Sequence, residues 1–255
     1  MPTITVIVVF LAGVLVGVVG PALFRRVRTG AVRRRHTLIA ADGTLDADLS
    51  RTQADLALMA DRAYEMLMVV LNFSQVPDDI DSATDRTIML RSDIKEREEQ
   101  TGAPLLRSIQ RPCTPEQARR IQQHQRIAQE LSLVADDCYK TMRLLARSHR
   151  KKYRFHEESQ EELFGFISQI MDFLRYHVDY LEGKIGAPQW ELANTMEDAI
   201  DRVRDKLKKR TRRILEKSDD ADIAGELAFI DIVSHLEHVG DRCLSIAEVV
   251  STIRA

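Results

Sequence analysis

The chain has 255 residues, 44% hydrophobic and only 5% aromatic, with 11 glycines and 7 prolines. That is enough for one core of moderate size, and the scarcity of helix breakers favours helices over strands. Formal net charge is −2, but Arg25, Arg26, Arg28, Arg33, Arg34 and Arg35 are clustered; without them 31 basic residues face 39 acidic ones, a balance of −8 that disfavours a nucleic-acid surface.

Residues 4–24 form an uncharged apolar run. At about 1.5 Å per residue it would span a bilayer core of roughly 30 Å. The residues before it lack the positive charge of a secretory signal, so residues 1–27 read as an uncleaved transmembrane anchor. The arginine cluster follows at once. The positive-inside rule then places a single-pass protein in the inner membrane with its C-terminal bulk in the cytoplasm. Gly13 and Gly17 form one GxxxG, which would let two anchors pack into a homodimer. Residues 28–48 read as a basic juxtamembrane linker able to touch anionic lipid.

Beyond this the pattern is helical. Leu56, Met59, Ala60, Ala63, Met66, Leu67 and Val70 recur at i, i+3, i+4 spacing, the signature of a core-facing stripe. Val76-Pro77-Asp78-Asp79 breaks the first helix. A second is predicted from about residue 83 to 99, with an end or kink at Thr101-Gly102-Ala103-Pro104. Thr114 as N-cap with Pro115 at the first helical position starts a third, which runs to about His149. Residues 147–154 are strongly basic, a solvated face or a surface for membrane or an acidic partner. Helices are predicted over 157–181, 190–216 and about 223–253. The three cysteines, Cys113, Cys138 and Cys243, show no CxxC spacing and read as free thiols.

Two three-helix units emerge, and the closing helices repeat. Leu131, Val134, Asp136 and Cys138 align with Leu236, Val239, Asp241 and Cys243 at an offset of 105 residues. In the second unit, Glu237 and Asp241 lie one helical turn apart on one face, beside an apolar stripe, with Gly240 where a neighbouring helix can approach closely. Acids bordering a packed face are costly to desolvate unless a metal, an Arg or Lys, or water meets them. A di-iron carboxylate enzyme is disfavoured because no histidine has a glutamate three residues before it.

Leu236-Glu-His-Val-Gly-Asp-Arg-Cys-Leu-Ser-Ile-Ala-Glu248 resembles the closing helix of PhoU-type domains, whose usual form is Leu-Glu-Arg-Ile-Gly-Asp-His-Ala-x-Asn-Ile-Ala-Glu. The two-repeat plan also resembles the PhoU-like tail of bacterial sodium/phosphate cotransporters, over roughly residues 50–254. The resemblance implies an all-α fold: one transmembrane helix, then six helices in two three-helix repeats, 49–150 and 151–255. It implies a regulator or adaptor of phosphate physiology, with a membrane transporter or sensor as partner. It also implies that Glu-x-x-x-Asp pairs bind divalent metal (Fe, Mn, Mg or Zn), here Glu197, Asp201, Glu237 and Asp241. Repeat one departs from the pattern. Ser132 takes the place of one acid beside Asp136, and Arg91 and Lys95 stand where the second helix would carry acids. That repeat is therefore expected to bind no cluster, Arg91 or Lys95 neutralising Asp136. In the closing motif Arg242 and Ser245 replace the usual His and Asn. A membrane-tethered scaffold without a link to phosphate remains the alternative.

Overall fold

A computed structural model describes residues 43–109, 112–218 and 220–251. The anchor, Gly13, Gly17 and the cluster Arg25 to Arg35 lie outside the described residues. Among the described residues, no helix is long and apolar enough to cross a membrane.

The described chain is a succession of helices: α1 (Gly43–Gln75), α2 (Ile80–Ile109), α3 (Pro115–Arg150), α4 (Glu157–Leu181), α5 (Trp190–Lys217) and α6 (Ile223–Ser251). The first three pack as one antiparallel bundle and the last three as another, and the bundles meet through α1 on α4 and α3 on α6. The stripe from Leu56 to Val70 is fully buried. It joins Ile127, Leu131, Phe166, Ile170, Phe173, Phe229 and Leu236 in one core shared by both repeats. Cys138 and Cys243 are buried in it as free thiols. Burial lifts both thiols far above the usual thiol range.

Several boundaries differ from the sequence reading. α1 starts at Gly43, inside the stretch read as a linker, because Leu45 and Leu49 bury against Leu105 and Ile121 in a small second cluster. α2 does not stop at Thr101; it continues through Pro104 to Ile109. Two local features carry it past the proline: Thr101 Oγ1 donates to the carbonyls of Arg97 and Glu98, and Leu105 beyond the proline is buried. Burial outweighs the proline's local cost.

α3 opens with a capping box. The Thr114 hydroxyl accepts from the Gln117 N–H, and the Gln117 side chain accepts from the Thr114 N–H. α6 is set by the connection between the repeats. Asp222 accepts from the Gly225 and Arg154 N–H groups, and Glu226 accepts from His156 N–H. Gly225 lies so close to that connection that a Cβ would sit 2.3 Å from the Arg154 carbonyl oxygen. Gly240, singled out from sequence, does face a neighbouring helix: a Cβ there would lie 3.2 Å from Ile200 Cγ2 of α5.

Candidate functional site

The acidic seam of repeat two runs along α5 and α6. Helical spacing places Glu197, Asp201 and Arg204 on one face of α5, and Glu237 and Asp241 on the facing side of α6. Ile200 and Gly240, packed against each other, hold the two helices close at this level. The structure brings Glu197, Asp201 and Asp241 together, one carboxylate oxygen of each within 4.8 Å of the others. Burial raises the pKa of Glu197, and the charges of Asp201 and Asp241 add to it. Burial also raises Asp241, with Glu237 adding to it. Crowded, half-buried carboxylates of this kind resist ionising unless a cation joins them.

Glu237 stands apart from the trio. Arg204 Nη1 donates to Glu237 Oε1 at 2.6 Å and to Asp201 Oδ1 at 2.5 Å, and its Nε donates to Asp205 at 3.0 Å. Lys208 lies 4.0 Å from the other Glu237 oxygen. Four carboxylates were expected to act alike; three converge and the fourth is held by an arginine from its partner helix.

In repeat one, Arg91 Nε donates to Asp136 Oδ1 at 2.6 Å and Lys95 Nζ to Oδ2 at 3.2 Å. Burial works against the Asp136 carboxylate, but these two cations outweigh it and hold the group below the usual carboxylate range. Arg91 also lies over the Tyr139 ring, 4.8 Å from its centroid. Ser132 is buried. An arginine and a lysine thus fill the space that corresponds to the trio in repeat two.

Other polar groups lie where the repeats meet, and the sequence reading did not select them. Glu130 on α3 has a side chain only 1% exposed and is met by Arg126 at 2.7 Å and Arg242 at 3.4 Å. Arg242 therefore points away from the acidic seam, toward α3. Near the other end of the same helix pair, Asp137 of α3 faces His235 and His238 of α6, and these three also have ligand atoms within 4.8 Å of one another. The repeat offset of 105 residues relates the two groupings, since Glu130 corresponds to His235 and Asp137 to Arg242. That register was the signal available in the sequence.

Residues 191–250, which include the trio, match the PhoU domain family. A search of curated protein sequences returns no match. Among solved structures the chain is similar to PhoU from Pseudomonas aeruginosa, with a TM-score of 0.73 at 16% identity, over 82% of this chain and 98% of that one. It is similar to the phosphate transport system regulatory protein PhoU from Streptococcus pneumoniae, with a TM-score of 0.65 at 16% identity, over 83% and 97%. A PhoU-like protein from Shewanella oneidensis MR-1 gives 0.50 at 12% identity, over 79% and 99%. The described six-helix body thus has the PhoU fold, and the family match falls on residues 191–250 of its second repeat.

Proposed function

We propose that the chain is a PhoU-like regulator of phosphate transport, tethered to the membrane by its N-terminal apolar segment and acting through contacts with a membrane transporter or sensor. The observation that carries this reading is the coincidence of the PhoU fold over the whole described body with a family match in repeat two. The trio and the ion pairs around it offer charge and ligand atoms through which a regulator can act.

The residues present fit one divalent cation better than a cluster. Glu197, Asp201 and Asp241 offer oxygen ligands that are crowded and raised in pKa, the condition a hard or borderline ion relieves. Glu237 is engaged by Arg204, whose charge also sits on Asp201. We assign repeat two a single divalent site and repeat one, closed by Arg91 and Lys95, none. The bound ion would fix α5 against α6 and so shape the surface a partner meets.

A membrane-tethered scaffold is the second reading, favoured by the replacement of repeat-one acids with an internal ion-pair set. Phosphate uptake in cells separates the two. Deleting the chain should release uptake from its restraint at high external phosphate, and the wild-type chain should restore it. Uptake unchanged at every phosphate level would sink the regulatory reading and leave the scaffold.

A further inference from the structure

From the groups that meet where α3 crosses α6, we infer a second metal site, distinct from the carboxylate trio: a borderline divalent ion such as Zn²⁺ bound by Asp137, His235 and His238 across the seam between the repeats.

His235 and His238 are three residues apart on α6 and so share a face. Asp137 reaches them from α3, with a side chain only 5% exposed. Its Oδ1 lies 3.2 Å from His235 Nδ1 and 3.9 Å from His238 Nδ1. Ligand atoms around a tetrahedral zinc, each about 2.0–2.1 Å from the ion, lie roughly 3.3 Å apart. The three ligand atoms already lie within 4.8 Å of one another, so ligation would ask for a contraction of at most about 1.5 Å. Two imidazoles and a carboxylate select zinc, iron or cobalt over magnesium or calcium, which prefer all-oxygen shells. His238 is 46% exposed, leaving the outer side of the site to water or another ligand. His235 also lines an open cleft of 510 Å³ with Tyr139, Lys140 and Arg143, a route for an ion to reach it.

The internal repeat explains why the site arises here. At the equivalent crossing, Arg242 closes on Glu130 with a permanent charge. At this crossing, the residue facing the buried acid is histidine, which binds metal as the neutral ring. Lys140 Nζ, 3.0 Å from the same Asp137 oxygen, is the competitor. Its side chain is 51% exposed and can turn to water when a dication takes its place. Because Asp137 belongs to one repeat and both histidines to the other, occupancy would clamp the bundles together.

The test uses the full-length chain, freed of metal with a chelator and titrated with Co²⁺. We expect one equivalent to give the visible d–d bands of a low-coordinate nitrogen and oxygen site, and Zn²⁺ to displace it. His235→Ala and His238→Ala should abolish the bands. The exposed His238 makes its variant safe to fold. Glu197→Gln combined with Asp201→Asn should leave them intact. Lys140→Met should tighten Co²⁺ binding roughly tenfold, the order of one charged hydrogen bond. In the Glu197→Gln, Asp201→Asn background, which removes the carboxylate trio, Zn²⁺ at about a hundredfold over its Kd should raise Tm by roughly 5–10 °C, and adding His238→Ala should abolish that rise. Absence of the bands, bands that survive His238→Ala, or bands lost with the carboxylate variant would each overturn the assignment.

Discussion

Replacing Arg204 with Met tests how the acidic seam is held. The Arg204 and Glu237 side chains are 17% and 16% exposed, so their 2.6 Å pair is largely shielded from water. A charged hydrogen bond in such a setting contributes about 1.5–3 kcal/mol. The contact to Asp201 is more open, at 37% exposure, and deserves a smaller weight of about 0.5 kcal/mol. The pair with Asp205, 71% exposed, is left to solvent screening. Met keeps the packing of the stem, so the loss is chiefly electrostatic. We expect urea unfolding of the full-length chain, without divalent ions, to show a loss of about 2–3 kcal/mol at neutral pH with an unchanged m-value. The loss should shrink on acidification. Glu197 and Asp241 have raised pKa values in the folded state, so their protonated forms favour folding. Their contribution is present below the unfolded carboxylate pKa and is lost as pH rises through the folded one. Added Mn²⁺ should recover part of the loss, since a freed Glu237 can join the trio. A variant as stable as wild type, or one indifferent to both pH and Mn²⁺, would refute the reasoning.

Two further results follow from the packing. Gly225→Ala should destabilise by about 1–3 kcal/mol, because its Cβ meets backbone at Arg154 that cannot yield without moving the connection between repeats. Gly240→Ala meets only the Ile200 side chain and gains helix propensity, so its unfolding free energy in urea titrations should change by less than about 1 kcal/mol. Burial lowers His124 to about 4, with Arg120 adding to it, and burial lowers His177 to about 3. Both stay neutral in the fold while the unfolded chain takes up protons below its own value of about 6.5. Stability is therefore full above that value and falls as pH drops, by about 2 kcal/mol per histidine between roughly pH 6.5 and 5. His177→Leu should flatten that slope in urea titrations taken at a series of pH values; an unchanged slope would contradict the burial of a neutral ring.

The helices, the repeat and the core stripe follow from local residue patterns alone. Periodic apolar residues such as Leu56 to Val70 can be satisfied only by one buried face, and Thr114-Pro115 is a local start signal read within a few residues. Glu197, Asp201 and Asp241 were legible because the spacing within each helix fixes their faces. Local rules failed at Pro104 and Gly43, where burial of Leu105 and Leu45 against a distant helix overrode breaker and linker composition. Which charges meet depends on how the helices pack. Arg204 takes Glu237 from 33 residues away, and Asp137 meets His235 across 98. A carboxylate reads the same in sequence whether an arginine, an imidazole or a sister acid faces it. Its partner is set by how α5 packs on α6 and how α3 crosses α6, and those crossings are fixed by side-chain packing spread over the whole length of each helix.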